Sequence, residues 1–360
     1  MKARMFVCNT YYQLLVAIQM RSTIFSNEKA YLVLSNDIKN VEQISSQIKA
    51  TNKFDGVYFY DIKKRNKLTN FIFAFIGKNI CDFPKSLVVD EPFSFNFDLS
   101  FHFIFAFFER RNHNIQSFRF EEGVLSYFVP FDKSNFLRKV YKLRKFFKKR
   151  NARAVCSQFY CFRPELYDGV FEAVGIPTLD ISNSELKSTL INSFNLNTNS
   201  HSNTSESLVI YLASVYNIDG DGKVDEHKIV SDVERITDPL PVKVKNHPRD
   251  NCNTFKNIFE FNDAPIELLP LCFNDFSKII VLSSFSGSLL NIASLYGGTI
   301  KCIYTTMLCD CSRNALASHF SAIIKKLCHE PFFENKIKLV ADINELECIF
   351  KKILLPELRD

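Results

Sequence analysis

The sequence has no Trp, no Cys-x-x-Cys pair and no repeat of fixed period. It also has no uninterrupted apolar run near the roughly 18 residues that a membrane-crossing helix needs. Each absence excludes something. Without paired cysteines a zinc site has no ligand frame; the eleven cysteines are scattered singly, and Cys309-Asp310-Cys311 is too small a set for a metal. An odd number of thiols in a long chain reads as reduced side chains in a reducing cytoplasm. Asp219-Gly220-Asp221-Gly222 lacks the third Asp and the closing Glu of a calcium loop and reads as a turn. Lys2 and Arg4 precede an apolar stretch, as in a signal peptide. However, residues 9–13 (NTYYQ) interrupt it and no small-residue cleavage site follows. A strand turning into a helix is expected there, in a cytoplasmic protein.

What is present is an ordinary globular composition: 360 residues, 46% hydrophobic and 23% charged. At about 100–200 residues per domain, two domains are expected, each able to bury a core. The 37 Phe and 13 Tyr read as Phe-rich packing. Charge is uneven. Residues 1–180 hold 27 Lys/Arg against 17 Asp/Glu, a net of +10, whereas residues 181–360 hold 18 against 22, a net of −4. Nine basic residues and no acid lie within 138–153. There Phe136, Val140, Leu143 and Phe147 make one helical stripe, and Arg138, Lys142, Lys145 and Lys149 lie around it. That is the pattern of a helix on an anionic membrane; a solvated surface helix is the plainer alternative. No aromatic-interleaved motif supports nucleic acid as a partner.

Along the chain, short apolar runs alternate with helical periodicity. Strands are expected at 4–8, 30–34, 56–60, 86–89 and 115–120, and helices at 11–21, 41–48 and 68–76. The run 101–108, apolar apart from His102, fits either. Residues 181–207, rich in Ser, Asn and Thr, read as a linker or mobile segment. The rhythm then restarts, with strands at 208–213, 242–245, 278–282, 299–304 and 336–340. Helices are expected at 226–236, 266–271, 287–296, 313–326 and 343–353. The expected fold is α/β, two Rossmann-like domains (1–180 and 208–360) facing a central cleft. Ligands should lie beyond the carboxyl ends of the strands.

Four motifs sit there. Glu121-Glu122-Gly123 ends a strand with two carboxylates, which raise each other's proton affinity so that one can serve as a base. Lys245-Asn246-His247-Pro248 ends another with a cation and a proton donor, and Pro248 fixes the chain direction. Residues 283–288 (SSFSGS) put Ser283, Ser284, Ser286 and Ser288 at a helix start, more hydroxyls than a cap needs, which suits a phosphate. Glu267 opens an apolar helix and could accept from a ribose diol; helix-dipole complementation is its plainer role.

The ordered set CNTYYQLLVA (8–17), EEG (121–123), NHP (246–248), PIELL (265–269) and SSFSGSLLN (283–291) resembles bacterial sialyltransferases of the GT-B type. The group is that of lipooligosaccharide and O-antigen sialyltransferases (glycosyltransferase family 52) and capsular polysialyltransferases. The resemblance implies an inverting transfer of sialic acid from CMP-sialic acid to a hydroxyl of a lipid-linked bacterial surface glycan, at the inner membrane and without a metal. It gives Glu122, with Glu121 beside it, the role of base, and His247 that of assisting CMP departure. Lys245, Asn246, Pro248, Glu267 and the serines would hold the nucleotide. Asn9, Thr10, Gln13 and Gly123 would lie near sugar or acceptor. Lipooligosaccharide relatives place the base after the first strand of the second domain, which keeps Asp219 as a further candidate. Relatives often dimerise, so a homodimer is possible. Two other readings stand beside this one: a GT-B transferase using CMP-Kdo or a UDP-sugar, and a non-catalytic membrane-associated capsule-assembly protein.

Overall fold

The computed structural model describes residues 2–61, 67–95, 99–128, 156–197, 207–214, 224–247, 255, 257–261, 264–273, 279–296 and 298–354. The basic positions Arg138, Lys142, Lys145 and Lys149, and the candidates Asp219 and Pro248, lie outside the described residues. The chain divides into two compact units: Met1–Asn197 with Asp263–Pro265, and Thr198–Asn262 with Ile266–Asp360.

Unit 1 is built on seven parallel strands: β1 (Ala3–Cys8), β2 (Lys29–Ser35), β3 (Gly56–Tyr60), β4 (Glu91–Ser94), β5 (Ser117–Phe120), β6 (Cys156–Cys161) and β7 (Glu172–Gly175). Their order is β3-β2-β1-β4-β5-β6-β7, so the direction of winding reverses between β1 and β4. β1 is buried from Arg4 through Cys8 because it is covered on both faces. The four helices before β5 are α1 (Tyr11–Ser22), α2 (Val41–Ala50), α3 (Lys67–Ile76) and α4 (Leu99–Glu109). The ambiguous run at 101–108 is thus helical. Apart from His102 it is apolar all round because it is buried all round, in a cluster with Met5, Val7, Tyr60 and Phe83. Phe supplies much of the core; Phe93 stacks on Phe6 and on Phe118, with centroids 5.1 and 5.2 Å away.

Two expectations are corrected here. The fourth strand is not at 86–89. Leu87 and Val89 are buried, but the chain turns there, and the ladder begins after Asp90, whose N–H donates to the Ala3 carbonyl at 2.8 Å. The stretch 181–207 is not simply a linker. Its described part holds α5 (Ser184–Phe194), capped by the Asn183 side chain and ended by Asn195 at φ 49°. Leu186, Leu190 and Phe194 are buried, and the helix packs on α1 and α2. The polar composition belongs to its caps and outer face. With α5 on one side and the sheet on the other, α1 is buried from Tyr12 to Met20.

Unit 2 carries β8 (Leu208–Leu212), β9 (Val242–Lys245), β10 (Ile279–Ser283), β11 (Lys301–Tyr304) and β12 (Ile337–Leu339). All are parallel, in the order β12-β11-β10-β8-β9, with the reversal between β8 and β10. Its helices are α6 (Glu226–Thr237), α7 (Ser288–Tyr296), α8 (Ala315–Cys328) and α9 (Ile343–Leu354). The segment expected as a helix at 266–271 is a 3-10 helix, Ile266–Cys272, with Pro270 inside it. The cysteines described are all free thiols; Cys348 on α9 is exposed, Cys309 and Cys311 are half-buried and the others are buried. Among the described residues no helix is long and apolar enough to cross a membrane.

Candidate active site

In unit 1 the carboxylate turn follows β5, at the carboxyl edge of the sheet. Gly123 adopts φ 98°, a conformation that a side chain resists. The Ser126 hydroxyl and N–H both donate to its carbonyl, at 2.5 and 2.9 Å. The two glutamates then part company. Glu121 is 1% exposed and accepts three hydrogen bonds: from the Tyr12 hydroxyl at 2.7 Å, the Phe162 N–H at 2.7 Å and the Tyr127 hydroxyl. Burial pushes its pKa up, and those bonds hold it down. Its carboxylate therefore ties α1, the 3-10 turn Val124–Phe128 and the segment after β6 together. Glu122 is half-buried instead. The buried Cys8 thiol at the end of β1 is raised by burial and further by the charge of Glu122.

The residues expected near sugar or acceptor hold the start of α1. Thr10 is the N-cap, accepting from the Gln13 N–H at 3.2 Å. The Gln13 side chain is buried and accepts from the Asn9 N–H at 2.6 Å. Asn9 Oδ1 accepts from the Tyr60 hydroxyl at 2.8 Å. The Thr-x-x-Gln pattern is thus used for capping, which shapes the loop between β1 and α1.

In unit 2 the structure brings several of the expected residues together. Glu267, 3% exposed, accepts from Asn291 Nδ2 at 2.8 Å and from the Ser288 hydroxyl. Burial raises its pKa; Asn291, Ser288 and the charge of Lys245 act the other way. Lys245 ends β9, and its ammonium donates to the Phe261 carbonyl at 2.5 Å. Asn246 and His247 follow, half-buried, at the same edge. Lys245, Glu267 and the first turn of α7 therefore form one polar group, with N–H groups of a helix start beside a cation.

The serines divide by depth. Ser283 and Ser284 are buried. Ser283 Oγ donates to the Leu212 carbonyl at 2.7 Å and receives the Ser286 N–H at 2.9 Å. Ser284 Oγ lies 2.7 Å from the Tyr211 hydroxyl and 2.9 Å from Thr305 Oγ1. Ser286 and Ser288 are half-buried at the helix start, where a ligand phosphate could meet them. Sequence reasoning missed the group beneath. Glu226 is fully buried and accepts from the Ser214 N–H and hydroxyl, both at 2.9 Å, and from Tyr211 at 3.0 Å. It thereby ties the end of β8, through Tyr211 and Ser284, to the end of β10, across the reversal point. Its only signal in the sequence is an acid one residue after the helix cap Asp225.

The alpha-2,8-polysialyltransferase (POLYST) model matches residues 4–303, a span that contains every landmark from Asn9 to Asn291. The chain belongs to the alpha-2,8-polysialyltransferase family. It is a glycosyltransferase, and the resemblance drawn from the ordered landmarks is borne out. Among solved structures, it is similar to the α/β-galactoside α-2,3-sialyltransferase of Photobacterium phosphoreum. The identity is 13%, 96% of this chain and 99% of that one are covered, and the TM-score is 0.51. It is also similar to MurG of Acinetobacter baumannii, at 10% identity, 98% and 100% coverage and a TM-score of 0.40. The architecture expected from the sequence, parallel α/β with two Rossmann-like domains of GT-B type, agrees with the two parallel sheets and with the likeness to the α-2,3-sialyltransferase. No curated protein matches the chain significantly.

Proposed function

We propose that this member of the family transfers sialic acid from CMP-sialic acid to a hydroxyl of a lipid-linked bacterial surface glycan, with inversion at the anomeric carbon. The observation that carries the reading is the polar group of unit 2: Lys245, Glu267, Ser288 and Asn291 gathered at the carboxyl edge of a parallel sheet. Glu267 and Asn291 offer partners for ribose or base. Lys245, Ser286, Ser288 and the start of α7 offer donors to a phosphate, which is enough to stabilise a monophosphate leaving group without a metal ion. His247, two residues beyond Lys245, protonates or hydrogen-bonds the departing phosphate. Glu122, rather than the saturated Glu121, takes the acceptor proton; Asp219 is the remaining alternative. The protein works at the cytoplasmic face of the inner membrane, with residues 138–153 contributing basic charge.

The test is incubation of purified protein with CMP-sialic acid and a panel of galactoside and sialylated acceptors. The family's description makes the sialylated acceptors the first to try. CMP release with a sialylated product is expected, and it persists in excess EDTA. A protein that neither binds CMP nor releases it rejects the reading. A panel with CMP-Kdo and UDP-sugars identifies a different donor.

A further inference from the structure

Helix α6 opens on two acids with different duties. Asp225 is the cap, its carboxylate accepting from the Lys228 N–H at 3.2 Å. Glu226 follows it, and an acid there complements the helix dipole from solvent just as well. It is buried instead, and burying a carboxylate is costly unless donors answer it. The donors come from another element: Ser214 and Tyr211, at the end of β8.

The bonds continue from there. Tyr211 has one hydroxyl proton. With Glu226 ionised that proton goes to the carboxylate, so Ser284 donates to the Tyr211 oxygen and receives from Thr305 and from the Cys309 thiol, 3.1 Å away. The Thr306 hydroxyl donates to the Ser284 carbonyl, the Thr305 N–H to the Ser283 carbonyl at 3.0 Å, and the Tyr304 hydroxyl to the Ser286 carbonyl at 2.6 Å. The carboxyl ends of β8, β10 and β11, neighbours in the sheet, are thus joined by hydroxyls with a carboxylate at one end. Together they hold the backbone of 283–286, which delivers Ser286 and Ser288 to the start of α7. Glu226, Tyr211, Ser284 and Thr305 are all buried, so they act on a ligand only through that turn.

We propose that Glu226, through Tyr211 and Ser284, is a positioning residue for the phosphate-binding turn of unit 2, and that Ser284 belongs to this link rather than to the groups touching the nucleotide. The inference rests on the reading of unit 2 as the CMP site. A phosphate meets Ser286, Ser288 and the first turn of α7 only while the turn keeps its place, and donors that shift by a fraction of an ångström lose much of their effect.

The test is calorimetry of CMP binding to the full chain, beside urea unfolding. Tyr211→Phe removes one hydroxyl and leaves the bonds from Ser214 to Glu226; its Kd for CMP should rise by on the order of tenfold. Glu226→Ala should do the same. Glu226→Gln, which can donate to Tyr211 and still accept from Ser214, should bind close to the parent. Phe350→Leu, on α9 in the core of the same unit, should lower the urea midpoint and leave Kd unchanged. A parent protein that does not bind CMP rejects the nucleotide reading and the link with it. With a parent that binds, three results reject the link alone: Tyr211→Phe at the parent's Kd, Glu226→Gln as weak as Glu226→Ala, or Phe350→Leu as weak as Tyr211→Phe.

Discussion

Glu121 and Glu122 are neighbours in the chain with opposite surroundings, and each substitution has its own signature. Glu121 answers three donors in a buried place. Glu121→Ala leaves them unmet, and a loss on the order of 3 kcal/mol in unfolding free energy is expected, read as a lower urea midpoint. Glu122→Gln should leave that midpoint unchanged. It should cut kcat by on the order of 10²–10⁴ while CMP affinity, measured by calorimetry, stays as in the parent. Loss of CMP binding in Glu122→Gln would refute its assignment as the base. Glu226 makes a pH prediction. Burial raises its pKa above the ordinary 4.5, so the folded chain keeps this proton to a higher pH than the unfolded chain does. Its contribution is fully present below about pH 4.5 and is lost as pH rises through the folded value. Gln can donate to Tyr211 in place of accepting from it. Glu226→Gln should therefore gain on the parent as pH rises above about 4.5 in urea titrations; a difference that does not change with pH would refute the linkage.

At the scale of elements, the turn after β5 depends on one residue. Gly123 at φ 98° holds a backbone that Ala adopts only with strain. Gly123→Ala should cost about 1–3 kcal/mol and should lower turnover by displacing Glu122, a loss that a stabilising buffer would not restore. The elements also show what the sequence made legible. β1, β2, β3, α1 and α2 were readable because buried parallel strands are short apolar runs and their helices repeat every three to four residues. The start of β4 was not, because Pro92 lies inside the strand while the more apolar Leu87 and Val89 lie in the turn before it. α5 was hidden because Ser and Asn on its exposed side and at its caps resemble a loop, and only Leu186, Leu190 and Phe194 carry its packing. In the candidate site, Lys245, Glu267 and Ser288 were legible as motifs. The partners that fix them, Asn291 and Tyr296, were not, since a helix buried from Leu289 to Tyr296 gives no sign of which polar side chain faces a carboxylate.

For the molecule as a whole, the asymmetry of charge and the division into two units have measurable effects. The first half of the sequence carries the positive excess, so binding to anionic vesicles should weaken steadily as salt is raised. CMP at a hundred times its Kd should stabilise the protein by about 2.7 kcal/mol, seen as a rise in melting temperature. Lys245→Ala should abolish most of that rise, and an undiminished rise would remove Lys245 from the nucleotide site.

Burial of the cysteines has a practical result. Thiols such as Cys302, pushed up to about 12, and Cys156, to about 11, remain protonated at neutral pH and react slowly with electrophiles. Cys348, out in solvent on α9, does not share that protection. Once Cys252, Cys309 and Cys311 are replaced by Ser, a maleimide dye should therefore mark one helix of unit 2 and provide a fluorescent reporter for titrating nucleotide.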